Sequence, residues 1–535
     1  MWFRSTCRAR RASSPRPRYF RPRVLALEDR CLLNAGALDT SFGGTGVVTT
    51  SLSKGRDLAR AVVIQPWDGK IVVAGSTVSG NSTVMALARY NADGSLDSTF
   101  GSGGTVASKI GTNFFYNSAA LYPSTDTTGN AKKIVEAGGG AIARFNPNGS
   151  LDTSFGSRGS VTVPLSGDII AAVVIQPDGK IVVDGDNGSV IALTRYNPNG
   201  TLDTAFGSGG TATLTLATSA SSEALGLQAD GKLVVAGAGT SSETSTWEVA
   251  RFTAQGVLDT TFNAAGPVPG TVAITFAAGT GAVGGLAIYP GTGTDTADAA
   301  KIEVAGSINN QIALARLNPD GTPDSTFGQS GQVVTPSNGM AWATALQGDG
   351  KVVVAAQTTV GGNGQYSLLR YNTNGSLDTT FGNGGLVTTP EGTGGSKALG
   401  VAIQADGRIV TTGTVQNGGN DWNFMTARYL AGPEIGTFAA STSTVTSGSS
   451  LTLTASNLSD GDPFGSGYAT ITQVAFYALD QSGNQTLLGY GTYSNGAWTL
   501  NYTVSLASGS YTLTSEAQDS FGALGDPVAL TLTVQ

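Results

Sequence analysis

One five-residue segment recurs down this chain and limits what it can fold into. Leu-Asp-x-x-Phe appears at Leu38–Phe42, Leu96–Phe100, Leu151–Phe155, Leu202–Phe206, Leu258–Phe262 and Leu377–Phe381, with Pro323–Phe327 as a seventh copy. The phenylalanines are 58, 55, 51, 56, 65 and 54 residues apart. A period of that size marks stacked supersecondary units, none of which can bury its apolar face alone. An arginine followed by an aromatic residue or leucine also recurs seven times, at Arg89, Arg144, Arg195, Arg251, Arg316, Arg370 and Arg428. A third signal is a β-branched run, a tight turn and another such run, cleanest at Ala172–Val183. Counterparts surround Asp68-Gly69-Lys70, Asp230-Gly231-Lys232, Asp349-Gly350-Lys351 and Asp406-Gly407-Arg408.

Turn chemistry converts these signals into hairpins. In Gln176-Pro177-Asp178-Gly179-Lys180 the proline presets the first turn angle and the glycine takes the left-handed position, a type I turn closed by a glycine bulge. Asn91–Gly94, Asn146–Gly149, Asn197–Gly200 and Asn318–Gly321 do the same for a second hairpin. Two hairpins give four short strands per unit of about 56 residues, seven times over, which is the arithmetic of a seven-bladed β-propeller. A β-solenoid has shorter rungs and needs caps at both ends. Composition agrees with an all-β fold. Glycine supplies 76 of 535 residues and charged residues only 13%, against helical bundles and coiled coils.

Spacing also predicts how the ring closes. With a three-residue turn at Ala92-Asp93-Gly94, Arg89 faces Asp97 across its own hairpin. The same offset pairs Arg144 with Asp152, Arg195 with Asp203, Arg251 with Asp259, Arg316 with Asp324 and Arg370 with Asp378. Such cross-strand opposite-charge pairs contribute roughly 0.2–1 kcal/mol each. Asp39 and Arg428, one at each end of the array, find no opposite charge in register at the matching offset. The strand near Leu38–Phe42 is therefore expected to pair with the one near Thr426–Tyr429, placing Asp39 beside Arg428 and removing the open edges.

The combination Asn-x-Asp-Gly-Ser-Leu-Asp-x-x-Phe-Gly-x-x-Gly with Gln-Pro-Asp-Gly-Lys-Ile-Val-Val-Ala-Gly, over residues 36–430, resembles the delta-sixty repeat of bacterial envelope and secreted proteins. That resemblance implies a surface or extracellular repeat protein and carries no catalytic residues. After Pro433 the repeat stops, and residues 434–535 alternate polar and apolar side chains in about seven strands, a β-sandwich pattern. Val474–Tyr477 and the stretch from Gly509 to Asp519 resemble bacterial immunoglobulin-like modules. Trp498 reads as a core tryptophan of that sandwich rather than a sugar-stacking platform.

The first 35 residues differ in kind. Residues 1–36 hold nine arginines against Glu28 and Asp29, while the whole chain has a net charge of −7. They lack the apolar run of a standard secretory signal. Leu27-Glu28-Asp29-Arg30-Cys31-Leu32-Leu33 resembles the LEPR-XLL motif near the N-terminus of many planctomycete proteins, with Asp29 where that motif has proline. The resemblance implies a sorting or export segment and a secreted or cell-surface location. The remaining body is acidic and lacks the electrostatic footprint for nucleic acid, and no apolar stretch is long enough to span a membrane.

Histidine is absent, which excludes histidine-based triads and the usual zinc sites. An Asp present in every unit reads as structural: it accepts N–H bonds in its turn or pairs across the hairpin. Local function is expected where repetition breaks. Two turns are expanded, around Asp126 and around Asp295 and Asp298, making these residues binding-loop candidates. Asp184 with Asp186, and Asp460 with Asp462, offer hard oxygen ligands for Ca²⁺, although neither completes a full calcium loop. The reading is a non-enzymatic secreted or cell-surface scaffold whose partner is a glycan or an envelope or surface protein. The alternative is a propeller glycosidase or lyase with a carboxylate pair in the central depression.

Overall fold

The computed structural model describes residues 35–535, apart from 112–116, 165–169, 187, 241–244, 277–279, 291–297, 361, 393, 406, 420, 433, 460–470, 482–484 and 520–527. The arginine-rich head with its sorting-type motif, together with Asp295, Asp460 and Asp462, lies outside the described residues. Among the described residues no helix is long and apolar enough to cross a membrane.

Antiparallel four-stranded blades repeat seven times. The first runs Leu58–Ile64, Ile71–Ser79, Ser82–Tyr90 and Thr105–Ser108 in sequential order. Five blades are separate sheets, while the third and fourth share the long strand Thr211–Leu227 and form one seven-stranded sheet. The middle strands are apolar on both faces because each blade is sandwiched between two others. Val72, Leu87 and Phe100 of the first blade share a core with Ile134, Ala143 and Phe145 of the second. The ring closes in the same way, with Phe42, Ala59 and Val73 packed against Val410 and Phe424.

The last blade takes three strands from the C-terminal side, Ser396–Ile403, Ile409–Gln416 and Trp422–Tyr429. Its outermost strand comes from the N-terminal side, Val47–Thr50. The register runs Val47 opposite Ala427 to Thr50 opposite Phe424. This differs in one respect from the sequence expectation. Leu38 makes only a single bridge to Tyr429. The Asp-x-x-Phe segment then turns, with Phe42 N–H donating to the Asp39 carbonyl at 2.9 Å, and the true outer strand follows the turn. The first blade repeats the arrangement, with a Tyr90–Leu96 bridge before Thr105–Ser108. The turn is required because the phenylalanine must leave its own sheet to fill the space between blades.

The repeat array begins and ends inside one hairpin turn. Elsewhere that turn supplies a carbonyl to the preceding blade: Asn148 O accepts Gly101 N–H at 2.8 Å, and Asn374 O accepts Gly328 N–H at 2.8 Å. At the seam Ala35 O accepts Gly382 N–H at 2.8 Å. Gly36, at φ +85°, takes the place of the left-handed turn glycine; a Cβ there would lie 2.7 Å from Val387 Cγ2 and 2.9 Å from the Phe381 ring.

The tail forms two facing sheets. One orders Glu434–Ala440, Ser450–Ser459, Ala497–Thr503 and Thr492–Ser494. The other orders Thr444–Val445, Val528–Val534, Gly509–Asp519, Ile471–Leu479 and Gln485–Tyr490. Leu451, Leu453, Val474, Phe476, Leu513 and Leu532 fill the space between them, and Trp498 packs partly buried against that core. The Trp498 ring also meets exposed Tyr493 at 5.5 Å.

Candidate functional site

Two sets of side chains compete for the functional role: those that repeat in every blade and those that vary around the central channel. The repeating set forms a closed clamp. Arg89 Nε donates to Asp97 Oδ2 at 2.8 Å. The equivalent distances are 2.7 Å for Arg144–Asp152, 2.8 Å for Arg195–Asp203 and 2.8 Å for Arg251–Asp259. They are 2.7 Å for Arg316–Asp324, 2.6 Å for Arg370–Asp378 and 2.8 Å for Arg428–Asp39. Each guanidinium lies over its blade's repeat phenylalanine, at 4.4 to 4.9 Å from the ring centroid. All seven arginines and all seven aspartates are buried.

The turn lysine joins the clamp: Lys70 Nζ donates to Asp97 Oδ2 at 2.6 Å. In the last blade an arginine replaces it, Arg408 Nε lying 3.0 Å from Asp39 Oδ2. The other aspartate oxygen accepts from the following turn, as Thr99 Oγ1 donates to Asp97 Oδ1 at 2.7 Å. The guanidinium also reaches the next blade: Arg428 Nη1 donates to Ala92 O at 2.6 Å and Arg370 Nη1 to Ala431 O at 2.7 Å. Burial alone would raise the carboxyl pKa of Asp259, but Thr261 and Arg251 more than offset it and hold the group at about 2. A pair this buried is costly to break, roughly 3–5 kcal/mol when one partner is removed, so the clamp belongs to a different energetic class from an exposed cross-strand pair.

Of the two described candidates in the expanded turns, Asp298 joins the clamp and Asp126 does not. Asp126 Oδ2 accepts Thr128 N–H at 3.0 Å and Asn130 N–H at 2.9 Å, a self-contained turn. Asp298 is buried and bonded to Lys301, with Arg316 Nη1 3.5 Å from its Oδ2. Tyr122 and Tyr289 stand where the other blades carry a glutamine. Tyr122 donates to Gly179 O of the next blade at 2.8 Å, and burial pushes its hydroxyl up to about 12. Asp184, buried within its strand, accepts the Ala172 N–H at 2.6 Å. Asp186 is buried on the same strand.

The varying set lines the channel. Among the described residues, six of the seven inner strands are broken by a β-bulge at one position: Ala59/Ala61, Ile170/Ala172, Ser222/Ala224, Val283/Gly285, Ala341/Ala343 and Ala398/Gly400. A bulge re-aims the side chain of its extra residue. The extra residues are Arg60, Ala171, Glu223, Gly284, Trp342 and Leu399. With Asn117 of the second blade they line one cavity of about 520 Å³. Glycines let the inner strands close in around it: a Cβ on Gly400 would meet the Arg60 carbonyl at 3.0 Å, and one on Gly284 the Ala341 carbonyl at 2.1 Å.

The turn-side mouth is apolar. Every inner strand ends on a large aliphatic residue, namely Ile64, Leu121, Ile175, Leu227, Ile288, Leu346 and Ile403. A second cavity of about 980 Å³ opens there, lined by Ile64, Trp67, Ile288, Leu346 and Ile403, with Arg408 and Asp93 among its polar groups. Trp67 is an insertion. Gln65 to Lys70 spans one residue more than Gln176 to Lys180, and the longer turn still closes through Gly69 N–H to the Gln65 carbonyl at 2.8 Å. Reading the repeats against one another could have found it. The bulge residues carry a sequence signal as well, since each precedes the terminal aliphatic residue of its strand by four positions.

Six segments, residues 68–100, 128–155, 176–206, 228–262, 301–327 and 347–381, match the family model described as a domain of unknown function (DUF5122) beta-propeller. Each matched segment ends on the repeat phenylalanine of its blade, and the chain is a β-propeller repeat protein. No curated protein matches it. Among solved structures, Sqt1 of Chaetomium thermophilum is similar at 14% identity, over 70% of this chain and 95% of that one, with a TM-score of 0.40. The Nup133 β-propeller domain of Vanderwaltozyma polyspora is similar at 7% identity, over 71% and 84%, with a TM-score of 0.27. The fibronectin(III)-like modules of Clostridium thermocellum CbhA are similar at 15% identity, over 35% and 85%, with a TM-score of 0.16.

Proposed function

We propose that this β-propeller repeat protein is a non-enzymatic binding scaffold of the cell surface or the secreted fraction, and that its ligand enters the central channel. The observation that carries the reading is the division of labour just described. The chemistry common to all blades is buried in inter-blade clamps. At the bulge position the residue changes from blade to blade, and every version faces one cavity. Ligand sites are concave, apolar in the main and equipped with a few placed polar groups. The channel has that character, with an aliphatic mouth leading to Arg60, Asn117, Glu223 and Trp342.

A secreted or surface location is supported by the delta-sixty repeat and LEPR-XLL resemblances, and the sandwich fits an appended surface module. Its partner is a glycan or an envelope protein. A hydrolytic glycosidase would need two carboxyl groups about 5–9.5 Å apart; among the described residues lining the 520 Å³ cavity, Glu223 is the one carboxylate. A glycan array probed with the full-length protein, with and without calcium, tests the reading. Saturable binding to a defined glycan set without turnover supports it. Cleavage of a bound glycan would replace it with the enzyme reading.

A further inference from the structure

The channel is not electrically uniform. In a chain with net charge −7, its end away from the turns is lined by Arg60, and Lys397 of the adjacent blade stands near that residue. Arg60 belongs to the first blade and Lys397 to the seventh, and the two inner strands approach closely where a Cβ on Gly400 would meet the Arg60 carbonyl. Lys397 Nζ lies over the Trp342 ring of the sixth blade, 5.5 Å from its centroid. Among the described residues Lys397 has no carboxylate partner, and Trp342 Nε1 is a buried donor without an acceptor. Glu223 projects from the fourth blade, on the far side of the ring. A half-buried ammonium without a carboxylate partner is an unfavourable arrangement by itself. Burial, then Arg60 and Arg56, lower the Lys397 pKa. An anion in the cavity would relieve this, and a low-dielectric channel strengthens the attraction.

We propose that the Lys397–Trp342–Arg60 end of the channel is a subsite for the carboxylate or sulfate group of a small acidic saccharide. This rests on the reading of the propeller as a binding scaffold. The cations take the charged group. Ser118 and Glu223 supply hydrogen-bonding partners for hydroxyls across the channel, and Trp342 supplies an aromatic wall. The cavity of about 520 Å³ suits one or two sugar rings.

Calorimetric titration of the full-length protein with glucuronate, glucose 6-sulfate, glucose and inorganic sulfate tests the assignment. Both acidic sugars are expected to bind at least about tenfold more tightly than glucose and than inorganic sulfate, a difference of about 1.4 kcal/mol. Lys397→Met is expected to remove that preference and Lys397→Arg to restore part of it, with thermal unfolding confirming that both variants fold. Equal binding of glucose and glucuronate would overturn the charge assignment. Equal binding of inorganic sulfate and glucose 6-sulfate would overturn the saccharide assignment. Unchanged affinity in Lys397→Met would overturn the site. If none of the four binds while the glycan array still shows saturable hits, this inference fails alone; an empty array fails the glycan-binding form of the scaffold reading with it.

Discussion

Asp39 Oδ2 lies 2.8 Å from Nε of Arg428, a residue 389 positions further along the chain. The pair has the geometry of the six intra-hairpin pairs, and Arg408 adds a second guanidinium at 3.0 Å. The ends of the array therefore meet as a hairpin would, without being one. Because the aspartate is buried between two cations, Asp39→Ala should destabilise the protein by roughly 3–5 kcal/mol, as much as Asp97→Ala within an unbroken hairpin. Chemical denaturation of both variants checks this. A near-neutral Asp39→Ala beside a damaging Asp97→Ala would show that the seam contributes little.

Acid should unfold the ring through the clamp. The folded pKa of Asp259 is held at about 2, below its ordinary 3.8, and Asp39, Asp97, Asp152, Asp203, Asp324 and Asp378 are lowered as well. A depressed carboxyl pKa gives stability that is present above the unfolded value and lost as pH falls through the folded one. The thermal midpoint should hold down to about pH 4 and drop steeply between pH 4 and 2.

Glu248 should act in the opposite sense. Burial pushes its carboxyl from 4.5 up to about 7. A raised acid contributes its stability in full below the unfolded value and loses it as pH rises through the folded one. Glu248→Gln should therefore leave stability at pH 4 nearly unchanged and raise it at pH 8 by about 1 kcal/mol, after allowing for the group's partial exposure. Midpoints at the two pH values read this directly.

Glu303 occupies a strand position filled by valine in the other blades, at Val72, Val135, Val182, Val234, Val353 and Val410. It is fully buried with both carboxyl oxygens lacking a hydrogen-bond partner, and burial pushes its pKa well above the ordinary range. Glu303→Val should stabilise the protein by about 1–4 kcal/mol, because an apolar residue of fitting shape avoids the desolvation cost. A lower midpoint in this variant would show that the carboxyl group has a partner role at Arg316.

The propeller was legible in the sequence because turn chemistry and a fixed period are local and repeated. The closure followed from counting which charges lacked a partner in register. What stayed hidden was the distinction between Leu38, which makes one bridge, and Val47–Thr50, which makes the ladder; both stretches are short and turn-flanked. Expanded turns drew attention at Asp126 and Asp298, yet both side chains are spent on their own turn or clamp. Arg60, Glu223 and Trp342 were passed over because a bulge shifts the register by one residue. Period-two alternation reads such a shift as noise.

In the proposed division of labour, repeated side chains hold the ring while the variable bulge residues bind. Two variants measured side by side, by thermal unfolding and on the glycan array, test it most directly. Asp203→Asn is predicted to lower the unfolding midpoint by several degrees and to keep the array profile of the unaltered protein at a temperature where it is folded. Trp342→Ala is predicted to keep its midpoint within a few degrees and to lose the array signal. A Trp342→Ala protein that is folded and binds the same glycans with undiminished strength would contradict the assignment of function to the channel.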